Sequence, residues 1–404
     1  MTTFRSIDAI EAPEGRRVLV RVDLNVPVHE GAVTDTTRIL ASVPTIRELS
    51  DRGARVILLS HFGRPKGKRV PEESLAAVVP PLAEALGRPV QFSPDCVGDA
   101  AAEAVANMVP GEVLLLENTR FHAGEEKNEA AFADALAALG DVYVDDAFSA
   151  AHRAHASTEG IARRLPSYAG RSMQAELEAL EKALGSPARP VVAIVGGAKV
   201  STKIALLENL VAKVDALVIG GAMANTFLAA MGVAMGRSLV ERDHLETARS
   251  IMTAAERAGC AIVLPKDAIC APALEPDVTT FHVGLDEGVP EGLMMLDLGP
   301  GSIGIVNAEV DQARTVVWNG PLGAFEVEPF DRGTVATARH VAERTRRQEL
   351  LSVAGGGDTA AALHHAGVAG AFSHLSTAGG AFLEWLEGKT LPGVAALAAD
   401  EYPG

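Results

Sequence analysis

The segment VAIVGGAKVSTKIALLENL, residues 192–210, has the pattern of a buried strand, a glycine turn and a helix. Glycines allow a backbone to approach a phosphate closely, and the dipole of a helix N-terminus favours negative charge. Lys199 lies in the turn, and Lys203 follows one helical turn later, so both can face the same phosphates. The segment therefore predicts a strand–helix unit that binds an anion where the strand ends.

The same alternation of short apolar runs and amphipathic segments extends along all 404 residues. Alternation of this kind predicts parallel sheets with helices on both faces. A chain of this length suits two domains. We therefore expect an α/β protein with two doubly wound, Rossmann-like domains joined by a hinge helix. The runs that we predict as strands are 17–22, 55–60, 112–117, 141–146, 190–195, 216–220, 261–264, 293–298, 315–318 and 350–354.

Composition excludes several classes of function. The net charge of −16 argues against general binding of nucleic acid. The three cysteines have no CxxC spacing, which argues against a zinc site or a disulfide framework and favours a reducing compartment. No apolar stretch reaches the roughly 18 residues of a membrane span, and the N-terminus has no signal-peptide pattern. We expect a soluble cytoplasmic protein without membrane partners.

The residues that follow the predicted strands differ between the two halves of the chain. Before about residue 170 these residues are charged, whereas after residue 190 they are mainly glycine. Ligands of open α/β sheets bind beyond the carboxyl ends of the strands, so the halves predict two binding sites of opposite character. We expect an N-terminal domain over 1–171, a linker helix and hinge over 172–189, and a C-terminal domain over 190–387.

The first half carries arginines and hydrogen-bonding side chains where its strands end. An arginine guanidinium stays charged and matches the oxygens of a carboxylate or a phosphate, so a convergent group would bind a small polyanion. The alternatives are arginines paired with surface carboxylates and, for His152 and His155, a metal site, which an HxxH spacing alone supports weakly. The candidates are Asp23, Asn25, Arg38, His61, Arg64, Arg120 with His122, and Arg153 with His152 and His155.

A second glycine turn, in VAGGGDTAAAL over 353–363, repeats the design of the opening segment. Gly355, Gly356 and Gly357 would let the backbone approach a phosphate, and Thr359 could cap the helix. Asp358 could hold Mg²⁺ against phosphate oxygens. The alternative is a plain strand-to-helix turn with an N-cap, although three consecutive glycines exceed what a cap needs.

Two other functions remain open at this point. GPGSIG at 299–304 matches the dinucleotide-binding pattern, but the acid expected about 20 residues later is absent before Glu326. A non-catalytic anion-binding protein is the other alternative.

Neither half offers a nucleophile with a paired base, and an anion site beside a nucleotide site suits direct phosphoryl transfer after closure of a hinge.

The motifs also occur in an order that resembles the phosphoglycerate kinase family over essentially the whole chain. They are RVLVRVDLNVP, SHFGRPKG, ENTRFH, DDAFSAAHRAHAST, VGGAKVSTKI, GGAMANTF, WNGPLGAFE, GGGDT and GGAFLEWLEGKTLPGV.

The resemblance implies reversible, Mg²⁺-dependent phosphoryl transfer from 1,3-bisphosphoglycerate to ADP, giving 3-phosphoglycerate and ATP, by a glycolytic enzyme that is a monomer. It implies that Arg38, Lys199 and Lys203 act in catalysis and that Asp358 binds the metal. It further implies that the tail 388–404 packs on the N-terminal domain. The implied phosphoglycerate site is Asp23, Asn25, Arg38, His61, Arg64, Arg120 and Arg153. The implied nucleotide site is Lys203, Gly220, Gly221, Asn319, Glu326, Gly355, Gly356, Gly357, Asp358 and Thr359.

Four positions depart from the family pattern. Leu24 replaces a common Phe, and Met295 stands where the family often has Gly near the nucleotide. Ala378 and Phe382 change the usual TGGGAS stretch to TAGGAF. We expect Met295 to affect nucleotide preference, and Ala378 and Phe382 to affect closure.

Overall fold

The computed structural model describes residues 4–398, which form two compact units. The first unit contains 4–177 and 390–398, and the second is Glu178–Lys389. The chain passes from one to the other inside a helix, Arg171–Leu180, which is followed by a π-helical turn at Glu181–Gly185. Across 4–398, no helix is both long and apolar enough to cross a membrane.

The first unit is built on a six-stranded parallel sheet of order β5-β6-β4-β1-β7-β8, with β2 and β3 as a separate small hairpin. Its strands are β1 (Arg17–Arg21), β2 (Val28–His29), β3 (Ala32–Val33), β4 (Arg55–Leu59), β5 (Val90–Ser93), β6 (Val113–Leu116), β7 (Val142–Asp145) and β8 (Ser167–Ala169). Its helices are α1 (Thr37–Asp51), α2 (Val79–Leu86), α3 (Gly98–Ala106) and α4 (Ala130–Ala137), with α5 (Arg171–Leu180) crossing the boundary.

Alternate residues of these strands feed cores on opposite faces of the sheet. Val18 and Val20 of β1 lie in one apolar cluster, whereas Leu19 between them lies in another. Because successive side chains of a strand point to opposite faces, both faces must be covered, and the helices cover them. The sheet is therefore doubly wound, as the sequence predicts.

The second unit repeats this plan with a six-stranded parallel sheet of order β11-β10-β9-β15-β16-β17. A separate antiparallel sheet has the order β13-β12-β14. The strands are β9 (Val191–Val195), β10 (Ala216–Ile219), β11 (Ala261–Val263), β12 (Asp267–Ala271), β13 (Phe281–Gly284), β14 (Met294–Leu298), β15 (Thr315–Asn319), β16 (Leu351–Gly355) and β17 (His374–Ser376). The helices are α6 (Ile204–Val211), α7 (Gly221–Ala230), α8 (Leu245–Ala258), α9 (Pro300–Gln312), α10 (Arg332–Arg346), α11 (Gly357–His365) and α12 (Gly380–Leu386).

All ten apolar runs form strands, but the run 293–298 is not part of a parallel sheet. It forms β14, which pairs antiparallel with β12. A short apolar run indicates burial and extension but carries no information on the direction of its neighbour. The expectation of exclusively parallel sheets is therefore wrong for this segment.

The end of the described chain lies against the first unit. A short helix, α13 (Pro392–Ala395), places the amide of Gly393 2.8 Å from the carbonyl oxygen of Ala151. Ala398 forms an isolated antiparallel bridge with Phe4. Residues 399–404 of the predicted tail lie outside the described residues.

Candidate active site

Four neighbouring strands of the first sheet lead into the predicted anion-binding residues. The strands β6, β4, β1 and β7 are adjacent, so their carboxyl ends lie side by side. Arg120 follows β6, His61 follows β4, Asp23 follows β1 and Arg153 follows β7. The sheet thus gathers at one edge residues that are far apart in the sequence.

Asp23 and Asn25 organise the side chain of Arg38. Nη1 of Arg38 lies 3.2 Å from Oδ2 of Asp23 and donates to the backbone oxygen of Asn25 at 2.7 Å. The side-chain oxygen of Asn25 accepts a hydrogen bond from the amide of Gly63 at 2.9 Å. The Arg38 side chain remains 39% exposed, so its outer nitrogens can still meet a ligand.

His61 is a buried, neutral imidazole. Burial, followed by the charge of Arg21, lowers its pKa well below the ordinary value. Nδ1 of His61 lies 2.9 Å from Nη2 of Arg21, whose side chain is 1% exposed. Sequence reasoning left Arg21 out of the candidate residues, although it is the charged residue at the end of β1.

The remaining arginines divide into a buried and an exposed set. Arg120 is 4% exposed and donates to the carbonyl of Gly63 at 2.8 Å. Arg64 and Arg153 are exposed, and Nε of Arg153 lies 3.2 Å from Nε2 of His152. The arrangement offers exposed guanidinium groups above a buried layer that holds the loops, which suits binding of a small polyanion.

The other two predicted histidines have different surroundings. Nε2 of His122 bonds to Oδ1 of Asp95 at 2.7 Å, and its ring stacks on Phe132. His155 is influenced by the arginines: burial, followed by the charge of Arg120, lowers the pKa of His155 to about 4. His155 therefore carries no charge at neutral pH, whereas His122 is committed to a carboxylate.

In the second unit, the glycine turns follow β10, β9, β15 and β16, which are also adjacent strands. Nζ of Lys203 donates to the carbonyl of Gly196 at 2.6 Å and to Oδ1 of Asn319 at 2.7 Å. Burial lowers the pKa of Lys203 to about 8 against the opposing charge of Asp358. Lys199 is exposed at the surface of the same turn.

Hydrogen bonds of Asn319 and Thr359 join two of these turns. Nδ2 of Asn319 and Oγ1 of Thr359 each donate to the carbonyl of Gly355 at 2.8 Å. Thr359 in turn accepts from the amide of Gly320 at 2.7 Å. Gly356 has φ +102°, and a Cβ there would lie 2.8 Å from Nδ2 of Asn319, so a side chain would strain the turn.

Beside these turns lies a pocket of about 370 Å³, large enough for part of a nucleotide. Gly221, Glu326 and Asp358 of the predicted nucleotide site line it. Gly220 is not part of the lining, and a Cβ there would collide with the side chain of Leu322. The other lining residues are Gly197, Ala198, Ala222, Asn225, Leu239, Leu274, Met294, Met295, Leu296, Pro321, Gly323 and Ala324.

Backbone amides of the dinucleotide-binding pattern GPGSIG are already hydrogen-bonded to a side chain of the protein. It begins α9, and the amides of Gly301 and Ser302 donate to the carboxylate of Asp267 at 3.0 and 2.6 Å. In a dinucleotide-binding fold these amides would receive the pyrophosphate. The Asp267 carboxylate would repel that group, so this turn does not support NAD binding.

The family model described as phosphoglycerate kinase matches residues 7–389. The chain belongs to the phosphoglycerate kinase family. Phosphoglycerate kinase from Methylobacterium radiotolerans is 66% identical over 399 residues, covering 99% of this chain and all of that protein. Phosphoglycerate kinase from Sinorhizobium fredii is 64% identical over 392 residues, covering 97% of this chain and 98% of that protein.

Solved phosphoglycerate kinase structures have the same fold. The structure from Coxiella burnetii has a TM-score of 0.92 at 41% identity and covers 99% of both chains. The structure from Pyrococcus horikoshii has a TM-score of 0.80 at 31% identity and covers 98% of both chains. The α/β phosphoglycerate kinase fold with two parallel sheets is therefore confirmed.

Three positions that depart from the phosphoglycerate kinase pattern lie near the glycine turns of the second unit. Met295 lines the pocket and is 6% exposed. The Phe382 ring is buried directly against Gly355, where a Cβ would collide with it. Ala378 is buried and donates its amide to Ser376. Phe382 thus supports the GGGDT turn from beneath.

Proposed function

We propose that this kinase transfers a phosphoryl group reversibly between ATP and the carboxylate of 3-phosphoglycerate. The observation that carries the proposal is the pair of strand-end sites, one rich in arginine and the other in glycine and lysine. Membership of the phosphoglycerate kinase family supports it. The glycolytic reaction releases ATP and 3-phosphoglycerate from ADP and 1,3-bisphosphoglycerate.

The first unit is the proposed phosphoglycerate-binding domain. The exposed guanidinium groups of Arg38, Arg64 and Arg153 would meet the phosphate and the carboxylate, each of which accepts paired N–H donors. Asp23 and Asn25 hold Arg38 in place through the contacts described above. Arg120 orients the Gly63 loop and adds positive charge from within.

The second unit is the proposed nucleotide-binding domain, with 172–189 as the hinge. The pocket beside Gly221 and Glu326 would take the base and ribose, because its lining is mostly apolar. The glycine turn at 355–357 and the N-terminus of α11 would hold phosphates. Lys203 would add a positive charge that its hydrogen bonds to Gly196 and Asn319 already orient.

Asp358 is the proposed ligand of Mg²⁺. The residue is exposed at the first turn of α11, and it lines the same pocket as Glu326. A single carboxylate beside a phosphate site suits Mg²⁺, which prefers hard oxygen ligands and commonly binds through one or two carboxylates plus substrate phosphates. The bound ion would neutralise charge on the phosphate oxygens.

The transfer step needs no covalent intermediate with the protein. A carboxylate oxygen of 3-phosphoglycerate forms a bond to the γ-phosphorus of ATP while the bond to the β–γ bridging oxygen breaks. The products are the acyl phosphate and ADP, and the pair of electrons stays with ADP. Arg38 and Lys199 would stabilise the charge of the transferring group, and closure about the hinge would bring the substrates together.

We also propose that the enzyme acts as a cytoplasmic monomer.

Calorimetry tests the two half-sites separately. We expect 3-phosphoglycerate and MgADP each to bind the wild-type protein, and Arg64→Ala to weaken only 3-phosphoglycerate. Asp358→Asn should weaken only MgADP, and Arg69→Ala is the matched control for an exposed arginine. Loss of both ligands in either variant would contradict the assignment of one ligand to each unit.

A further inference from the structure

Arg21 is a charged side chain buried directly beneath the arginine-rich site. Its exposed fraction is 1%, and all three nitrogens of its guanidinium group have partners inside the protein. Nε donates to Oγ of Ser157 at 2.9 Å, and Nη1 donates to the carbonyl oxygen of Val22 at 2.5 Å. Nη2 lies 2.9 Å from Nδ1 of His61. Arg21 therefore acts on a ligand through its neighbours rather than by direct contact.

The contact between Arg21 and His61 fixes the protonation of the imidazole. A guanidinium has only N–H donors and keeps its charge in proteins. Nδ1 of His61 must consequently be the acceptor in this pair, and the ring proton must sit on Nε2. A ring whose Nδ1 accepts a hydrogen bond from a cation is neutral and presents one N–H donor on its opposite side.

We propose that Arg21 is a positioning residue that holds His61 as the neutral Nε2–H tautomer, so that His61 donates one hydrogen bond to an oxygen of the anionic substrate. The inference rests on the proposed function, because 3-phosphoglycerate supplies that oxygen. Arg21 does not contact the substrate itself; it orients the His61 imidazole that donates the hydrogen bond.

A buried carboxylate completes this arrangement. Glu125 is fully buried, and its Oε1 accepts hydrogen bonds from Oγ of Ser157 at 2.5 Å and from Thr119 at 3.2 Å. Ser157 thus accepts from Arg21 and donates to Glu125. A buried charge is costly unless it is paired and hydrogen-bonded, and the serine links the two charges. The chain Glu125–Ser157–Arg21–His61 has a defined donor and acceptor at every step.

The charges around His61 keep the ring neutral. Burial is the main reason that its pKa lies well below the ordinary value, and four arginines act in the same direction. These arginines are Arg21, Arg38, Arg120 and Arg153. Among the nearby acids, Asp23 pairs with Arg38 and Glu125 binds Ser157. Asp145, opposite Arg21 in the strand register, accepts from the amide of Ala147, and burial raises its pKa to about 7. Removal of the Arg21 charge should therefore move the pKa of His61 upward.

Long-range proton–nitrogen NMR on histidine-labelled protein tests the tautomer directly. The signal of His61 is assigned by its loss in His61→Gln. We expect a neutral ring with its proton on Nε2 between about pH 7 and about pH 8. A proton on Nδ1, or titration of the ring within that range, would overturn the proposal. The readout is independent of turnover, so it separates this inference from the proposed function.

Arg21→Met tests the consequence for binding. We expect the KM for 3-phosphoglycerate to rise about tenfold at pH 8, with the KM for MgATP unchanged. The pKa of the His61 ring should rise, and the ring should no longer be held in the Nε2–H tautomer alone. Arg21→Lys, which keeps a charged donor, should recover part of the affinity. If Arg21→Met does not fold, Ser157→Ala serves instead: it removes the acceptor of Nε, loosens Arg21, and should raise the KM for 3-phosphoglycerate in the same direction.

Arg17→Met is the matched control, because Arg17 lies on the same strand but pairs with Asp141 at its other end. We expect it to leave both KM values and the His61 signal unchanged. A wild-type His61 spectrum in Arg21→Met would contradict the positioning role, whatever happens to activity. Absence of turnover by the wild-type protein would instead refute the proposed function.

Discussion

Nζ of Lys203 lies 2.7 Å from Oδ1 of Asn319, and Nδ2 of the same asparagine donates to the carbonyl of Gly355. One amide therefore connects the lysine of the first glycine turn to the backbone of the last. The lysine is held by carbonyl and amide oxygens rather than by a carboxylate. Its charge thus remains available to an incoming phosphate.

The first prediction concerns the pH dependence of nucleotide binding. Burial lowers the pKa of Lys203 to about 8, so the side chain loses its charge in the free enzyme as pH rises through that value. We expect the KM for MgATP to rise toward about tenfold per pH unit once the pH is well above 8. Turnover measured by phosphorus NMR avoids pH effects on coupling enzymes.

Lys203→Met provides the comparison for this pH profile. We expect a higher KM for MgATP at neutral pH and a flat profile above it, because the titrating group is gone. A rise of the same steepness in Lys203→Met would show that another group causes it. Lys127→Met, at an exposed lysine of the first unit, should behave like the wild type.

Alanine substitutions at Gly357 and Gly356 should distinguish two roles of this turn, which are the close approach of a phosphate and a backbone conformation that needs glycine. Gly357 has open space where a Cβ would stand, so Gly357→Ala should leave the melting temperature unchanged. It should still raise the KM for MgATP if the phosphates lie against this backbone. Gly356→Ala should lower the melting temperature as well, because φ is +102° and Asn319 is close.

Calorimetric unfolding and steady-state kinetics on the two glycine variants check this second prediction. An unchanged KM for MgATP in a stable Gly357→Ala protein would argue against phosphate binding at this turn. Equal melting temperatures for the two variants would contradict the strain assigned to Gly356.

The stability of the folded protein should depend on pH through the buried side chain of Asp297. Asp297 is 1% exposed, its Oδ1 has no partner among the described residues, and burial raises its pKa to about 7. Between about pH 4 and about pH 7 the folded protein keeps a proton that the unfolded chain releases. The stabilising effect of this proton is complete below the unfolded pKa and is lost as pH rises through the folded pKa.

Asp297→Asn removes this titration. The melting temperature of the variant should exceed that of the wild type by a margin that grows from pH 5 to pH 8. Burial also raises the pKa of Asp145 and of Asp146 to about 7. Both residues are present in both proteins, so the difference between the melting temperatures isolates Asp297. Asp286→Asn, at an exposed aspartate, should give no such trend. A margin that stays constant with pH would contradict the raised pKa.

Much of the fold could be predicted from local sequence because buried strands and glycine turns have local causes. VLLL of β6 and VYVD of β7 are buried at every position, which is why they stand out in the sequence. β5 was missed because its apolar residues are only partly buried and the polar residues Gln91 and Ser93 interrupt the run. The antiparallel pairing of β14 depends on β12, which has no distinctive pattern.

The exposed cations of the candidate site were predictable, as were the buried His61 and Arg120, whereas the buried Arg21 was not. Arg38, expected at a strand end, lies in the first turn of α1. Arg64, Arg120 and Arg153 stand out because each follows a predicted strand. Arg21 does not, since its role depends on the neighbours that the strand order β4-β1-β7 gives it. Strand order is a property of the whole sheet, and the local sequence around Arg21 does not contain it.

Phosphorylation of 3-phosphoglycerate by ATP, measured with and without Mg²⁺ and in Arg38→Ala, tests the central claim most directly. We predict Mg²⁺-dependent turnover in the wild-type protein and a fall in kcat of about a hundredfold or more in Arg38→Ala, with little change in MgATP affinity. A wild-type kcat in Arg38→Ala would refute the role of Arg38. Absence of turnover in a wild-type protein that binds both substrates would contradict direct transfer between the two sites.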